Sequence, residues 1–502
     1  VVLFLLFAMI GHLVPGTLAG RQLDVDKLIL YLAWDPTAIL GIPMRIVTPI
    51  VVSFVFFGQI LFKSGGSDFF TDISKVLMGR YRGGPAKISV LASSLFGTIS
   101  GSVVSNVVTT GVVTIPLMRK GGYKAHHAGA IEAVASTGGQ LMPPIMGAAA
   151  FIMAEFLQIS YTEVVLAALI PSVLFYVALF FQADLEAAKG GIDRIPENEI
   201  PSAWPILRSG WHFPIPFIVL IYALFELNYA PETSALLAAA CVVFFSSIFG
   251  YKGTRLSLAN MYLAVKETGV TVLDIIMIGG AAGIVIGVLN ISGLGFGLTL
   301  FLVQLAGGSL IALLVVGAGV CIVLGMGMPT VGVYVLLATL VAPALIEVGV
   351  DPIAAHMFIM YFGMMSMITP PVCIGAFAAA TLTGADPMKT GFAAMRFGWL
   401  AFVIPFMFVG STTLLMRGDP LMIVVDLVTA LIGAWLVSVT MVGYFIRPLS
   451  LGARIVFAAA GLVLLVPVEL MQFAGIANLI AAAFAAGFVA MELSARRRSA
   501  PA

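Results

Sequence analysis

The chain has 502 residues, of which 61% are apolar and 10% charged, with a formal net charge of +1. A soluble domain carries roughly 25% charge, so this composition describes a membrane protein, and the near-neutral balance argues against nucleic acid as a partner. The three cysteines, Cys241, Cys321 and Cys373, lie in apolar stretches, which excludes a disulfide framework or a Cys/His metal motif.

In chain order, residues 1–13 are apolar from the first position, with no initiator Met, no basic stretch and no cleavage-site pattern. They are expected to be the cut end of a transmembrane helix, with something upstream missing. Apolar runs of spanning length, about 17–25 residues, are predicted near 1–15, 38–62, 161–182, 214–231, 233–250, 268–290, 395–416, 421–445, 454–471 and 475–493. Four other stretches are interrupted. Residues 86–118 and 308–346 are broken by Gly/Ser/Asn and by Gly/Pro/Thr, as expected of re-entrant hairpins. Residues 127–157 and 353–383 are broken by Pro-Pro, as expected of helices unwound at mid-membrane. The fold class is therefore an all-α polytopic membrane protein. Its expected division is 1–85, scaffold helices and a first amphipathic arm at 67–80; 86–160, a first repeat; 161–307, scaffold helices and a second arm at 293–307; 308–385, a second repeat; 386–420, a scaffold helix; and 421–502, extra C-terminal helices.

The interruptions match in pairs. The first copy runs Gly97-Thr-Ile-Ser-Gly-Ser-Val-Val-Ser-Asn106 and reaches Pro143-Pro144 42 positions after Gly101. The second runs Gly325-Met-Gly-Met-Pro-Thr330 and reaches Pro370-Pro371 43 positions after Gly327. Basic residues set their orientation. Lys63, Lys75, Arg80, Arg82, Lys87, Arg119, Lys120 and Lys124 flank the first hairpin, whereas Glu347 and Asp351, with no Lys or Arg, follow the second. By the positive-inside rule the first hairpin opens to the cytoplasm and the second to the outside, and the C-terminal Arg496-Arg497-Arg498 is cytoplasmic. Two broken repeats of opposite orientation are the pattern of a secondary transporter.

Hairpin tips at mid-membrane leave backbone groups without helical partners. One cation site is expected from Ser100, Gly101, Ser102, Ser105 and Asn106 facing Ser136, Thr137 and Gly139. A second is expected from Gly325, Gly327 and Thr330 facing Ser366 and Thr369. Neutral hydroxyls and carbonyls suit a hard cation that must be released each cycle. The same residues also serve as packing devices, since Gly97/Gly101 has GxxxG spacing; the matched, oppositely oriented copies favour the site. Helices restarting after Asn106, Pro144, Thr330 and Pro371 aim positive dipole ends at a shared space, which suits an anionic substrate group near Ser102, Asn106, Gln140, Pro144, Thr330 and Pro371. Asn106 and Thr330 are good N-cap types. Glu132 reads either as a proton or ion ligand or as half of an ion pair with the corner at Lys124, His126 and His127, the pair being favoured. His356 reads as a packing histidine and Arg396 as a side chain snorkelling to the headgroups.

These motifs resemble the large membrane subunit of tripartite ATP-independent periplasmic (TRAP) transporters, most closely the fused permeases that work with TAXI-type solute-binding proteins. The resemblance rests on Arg82-Gly-Gly-Pro-Ala-Lys87, Phe96-Gly-Thr-Ile-Ser-Gly-Ser102, Thr114-Ile-Pro-Leu-Met118, Glu132-Ala-Val-Ala-Ser-Thr-Gly-Gly-Gln140 with Pro143-Pro144, and Gly325-Met-Gly-Met-Pro-Thr330 with Thr369-Pro-Pro371, over about residues 1–415. It implies an ion-transporter-superfamily fold of elevator type and Na⁺ as coupling ion, with no other cofactor. It also implies an organic anion delivered by a periplasmic TAXI-type protein, in the inner membrane of a bacterium. On the resemblance, the small membrane subunit normally fused ahead is expected to be the part missing upstream, and 421–493 is expected to be the extra C-terminal region of such fusions. The alternatives are a stand-alone dicarboxylate or citrate carrier and a proton-coupled version of the same importer. The sequence has no HExxH, no intramembrane Asp pair and no Walker A motif, which argues against an intramembrane enzyme and against ATP hydrolysis by this chain.

Overall fold

The structure, a computed structural model, describes residues 1–470 and 473–499, with side chains as far as 489; Arg496, Arg497 and Arg498 therefore lie outside the described side chains. Among the described residues seven helices are long and apolar enough to cross a membrane, or eight if one bent pair counts as a span. Their ends follow from local chemistry. Asp351-Pro352, Asp386-Pro387 and Asp419-Pro420 each start a helix, the carboxylate capping first-turn N–H groups and Pro occupying a position that needs no donor. Ser160 and Glu163 form a capping box at the start of helix Tyr161–Gly190.

The interrupted stretches fold as two helical hairpins and two broken helices. The first hairpin joins helices Gly84–Ser100 and Val103–Lys120; the second joins Leu310–Gly325 and Thr330–Leu340. Gly101 and Gly327 stand at the tips with φ of +60° and +79°, a conformation that costs a side-chain-bearing residue energy. The first broken helix comprises Ala125–Gly139 and Ala148–Leu157, the second Pro352–Met365 and Ile374–Thr383. The halves cross over. The first hairpin packs on Ala125–Gly139 and on Ile374–Thr383 from the other broken helix; the second hairpin packs on Pro352–Met365 and, through its second arm, on Ala148–Leu157.

A second group of helices surrounds this core. The span Ile42–Lys63 packs against Pro231–Ile248 and against the 35-residue helix Leu258–Ser292. Amphipathic Gly66–Met78 and apolar Leu294–Leu305 lead into the two hairpins, at the places expected of the arms. Val2–Ile10 is only nine residues long and runs into a 3₁₀ turn at Gly11–Leu13. Beyond residue 418, Pro420–Val442 lies along Tyr161–Gly190, and Leu451–Leu465 lies along Pro420–Val442.

Helix Tyr161–Gly190 is tied to the hairpin core at both ends. At one end Asp184 pairs with Arg82 and with Lys87 (2.7 Å), and Glu186 with His127 (3.0 Å) and Arg396 (3.1 Å). At the other, Arg417 joins Glu163 (3.2 Å) to Asp351 (3.4 Å). Arg396 is thus an ion-pair partner rather than a headgroup anchor.

Candidate functional site

The two hairpin tips line one cavity of about 360 Å³. Ser100, Gly101 and Ser102 come from the first tip, Gly327, Met328, Pro329 and Thr330 from the second, and Gln140 from the end of the first broken helix. Val51, Phe54 and Val55 of the span Ile42–Lys63 and Thr271, Asp274, Ile275 and Ile278 of helix Leu258–Ser292 close the opposite wall. The cavity therefore sits between the hairpin core and the surrounding helices, with Ser100, Ser102, Gln140 and Thr330 on the core side and Thr271 and Asp274 on the other. Its volume suits a small organic molecule.

Four helices begin at the cavity, at Val103, Ala148, Thr330 and Ile374. Ser102 adopts an extended conformation and its hydroxyl accepts the N–H of Ser105 at 3.4 Å, so the second arm of the first hairpin starts at Val103. This corrects the expected restart after Asn106: Asn106 lies in the helix, fully buried, and is no N-cap. Its side-chain amide donates to the carbonyls of Ser93 (2.9 Å) and Ser136 (3.5 Å), pinning hairpin to broken helix. The second hairpin restarts at Thr330 with Pro329 at the cap position, so Thr330 is the first helical residue and does not cap. The broken helices resume at Ala148 and Ile374, later than Pro144 and Pro371.

The residues expected at the first cation site divide. Ser100, Gly101 and Ser102 face the cavity. Ser105 is exposed, beside Val104 and Val108, and is not among the residues lining the cavity. Thr137 donates to its own helix at Ala133 O, and Ser136 reaches Glu132 at 3.3 Å. Gly139 lies against Gly97, where there is no room for a side chain. At the second site Gly325 packs on Ser366, whose hydroxyl donates to Gly363 O (2.6 Å), while Thr369 donates to Met365 O (2.7 Å). Among the expected substrate contacts, Ser102, Gln140 and Thr330 line the cavity; Asn106, Pro144 and Pro371 do not. The Pro144 carbonyl instead accepts the Tyr161 hydroxyl at 3.1 Å.

Gln140 is 1% exposed, and neither its side-chain oxygen nor its nitrogen has a partner among the described residues. A buried amide left open beside a cavity is costly unless a ligand or water completes it.

Glu132 is not paired with the basic corner. It is fully buried and accepts hydroxyl hydrogen bonds from Ser89 (2.6 Å), Ser93 (2.7 Å), Thr110 (2.5 Å), Thr114 (2.6 Å) and Ser136 (3.3 Å). The corner histidine His127 pairs with Glu186 instead. Spacing along the sequence favoured the nearest charges; the fold brings hydroxyls from both hairpin arms onto Glu132. His356 is a packing histidine, hydrogen-bonded to the Tyr334 hydroxyl at 2.6 Å. Asp274 was not singled out from the sequence, although a lone carboxylate in an otherwise uncharged span is a detectable signal.

The family model for the tripartite ATP-independent periplasmic transporter, DctM component, matches residues 1–418. The chain belongs to this family. TRAP permeases of this kind are transporters, not enzymes. The chain is 24% identical over 356 residues to the C4-dicarboxylate TRAP transporter large permease protein DctM of Pseudomonas aeruginosa, covering 71% of this chain and 82% of that one. It is 24% identical over 387 residues to the ectoine/5-hydroxyectoine TRAP transporter large permease protein UehC of Ruegeria pomeroyi (74% and 83%). It is 26% identical over 385 residues to the sialic acid TRAP transporter permease protein SiaT of Haemophilus influenzae (76% and 58%). Among solved structures, the YdaH transporter of Alcanivorax borkumensis resembles it in fold, with a TM-score of 0.50 and 16% identity over 82% of this chain and 96% of that one. The TRAP family match ends before the helices that start at Pro420.

Proposed function

We propose that this chain is the large permease of a secondary importer that carries a small organic anion across the bacterial inner membrane, its C-terminus in the cytoplasm. In this reading a cation gradient, Na⁺, drives transport, and a periplasmic solute-binding protein of TAXI type delivers the substrate, with a small membrane subunit completing the scaffold. The observation that carries it is the shared cavity: two hairpin tips, four helix starts and the open amide of Gln140 converge there. Positive helix ends favour an anionic group, and nothing basic lines the cavity to hold it permanently.

The two hairpins with their broken helices form inverted repeats that move together against the scaffold, in elevator fashion. The ion pairs at both ends of Tyr161–Gly190 support counting that helix, with Pro387–Gly410, in the moving body rather than in the scaffold. The helices from Pro420 on would then ride with it. Na⁺ enters as cargo, held by Ser100, Ser102 and tip carbonyls on one side and by Gly325, Gly327 and Thr330 beside Ser366 and Thr369 on the other. One monovalent charge crossing about 100 mV inward gains about 2.3 kcal/mol, so two Na⁺ with a monoanion would make import electrogenic.

Thermal stability of the purified chain in NaCl, KCl and choline chloride at one ionic strength tests the coupling ion. A ligand at ten times its Kd adds about 1.4 kcal/mol. A Na⁺-specific rise that Ser102→Ala abolishes is the expected result. Equal stability in all three salts, with a response to pH alone, would replace sodium by proton coupling.

A further inference from the structure

The cavity holds one formal charge that the proposed cation sites and the helix ends leave unused. Asp274 is the only ionisable residue between Glu267 and the end of helix Leu258–Ser292. It lines the cavity with Thr271, Ile275 and Ile278, beside an apolar outer face marked by Leu273 and Met277. Among the described residues it has no hydrogen bond and no ion pair, and the cavity lining contains no Lys, Arg or His. A bare carboxylate inside a span is costly to insert and marks a function by default.

We propose that Asp274 is a specificity-determining residue that receives a cationic nitrogen of the substrate. The inference rests on the substrate position proposed above. The core side of the cavity, with the helix starts at Val103 and Thr330 and the open Gln140 amide, takes the carboxylate. The opposite wall, with Asp274, takes a protonated or quaternary nitrogen. The cavity is therefore dipolar and matches an amino-bearing or betaine-type carboxylate. A simple di-acid would bring its second carboxylate towards Asp274, and like charges held close oppose each other's ionisation.

Matched acid pairs that differ in the nitrogen test this on the full chain in NaCl: aspartate against succinate, glutamate against glutarate, and glycine betaine against 3,3-dimethylbutyrate. Binding is read by calorimetry and thermal shift. A charge-assisted contact predicts that nitrogen-bearing members of at least one pair bind about 10- to 100-fold tighter. D274N should reduce that preference to about twofold, and D274E should keep part of it. Equal or tighter binding of the carbon acids, an unchanged preference in D274N, or no binding of any nitrogen-bearing acid overturns the inference. So does a D274N variant that loses only its Na⁺ response, which would make Asp274 a cation ligand. The importer reading is judged separately: carbon acids that bind without discrimination, or a Na⁺ shift without acid, leave it standing.

Discussion

Gly97 and Gly139 meet backbone to backbone: a Cβ on Gly97 would lie 2.7 Å from the Cα of Gly139 and 2.6 Å from the Asn106 amide nitrogen. Hairpin and broken helix touch there without intervening side chains. Gly139→Ala is expected to destabilise the protein by about 1–3 kcal/mol through overpacking, read as a lower melting temperature in detergent. An unchanged melting temperature would mean that the two helices can separate at no cost.

The hydroxyl cluster on Glu132 makes a second test. Glu132→Ala removes the acceptor of four close hydroxyls in a fully buried site. It should cost about 3 kcal/mol or more, since each stranded polar group costs about 1–3. Glu132→Gln keeps the shape and one acceptor and should fold measurably better than the alanine variant. If the two variants melt together, the cluster is not what holds these helices.

Ser102 and Asn106 separate function from folding. Ser102→Ala loses only a long capping hydrogen bond (3.4 Å), worth at most about 1 kcal/mol, and should fold while losing its sodium response. Asn106→Ala strands the carbonyls of Ser93 and Ser136 and should lower both stability and transport. Melting curves with and without Na⁺ distinguish the two.

Ion pairs along Tyr161–Gly190 should differ in weight. Arg417 is 40% exposed, so Arg417→Ala should cost about 0–1 kcal/mol and less in high salt. Asp184→Ala leaves Lys87, only 13% exposed, without its carboxylate and should cost about 1–3 kcal/mol. A salt titration of the melting temperature of each variant checks the order.

Movement can be trapped. A Cβ on Gly58 would lie 3.1 Å from Ile99 Cγ2, where the span Ile42–Lys63 meets the first hairpin tip. A disulfide between cysteines placed at 58 and 99 should arrest transport, and reduction should restore it. A bifunctional thiol crosslinker joining cysteines placed at 87 and 184, positions that the native Lys87–Asp184 ion pair (2.7 Å) bridges inside the proposed moving body, should leave transport intact. Arrest by both would put Tyr161–Gly190 with the scaffold.

The membrane class, the paired interruptions and the tip glycines are legible from residue order alone. Apolar run length, Pro-Pro and Gly at positive φ act through local backbone chemistry and leave a mark wherever they occur. That is why Gly101 and Gly327 were found at the hairpin tips and Gln140 beside them. Which halves pack together, and where each polar side chain spends its hydrogen bonds, depends instead on how distant segments fold against one another. Asn106 turned from a helix cap into a buried pin, Ser105 turned outward, and Glu132 exchanged its neighbours in sequence for hydroxyls contributed by two other helices. Asp274 became part of the cavity because its helix, remote in sequence from the first hairpin tip and from both Pro-Pro breaks, is folded against it. Such partners are chosen by packing across the chain, where a buried polar group takes the nearest partner in space rather than in sequence.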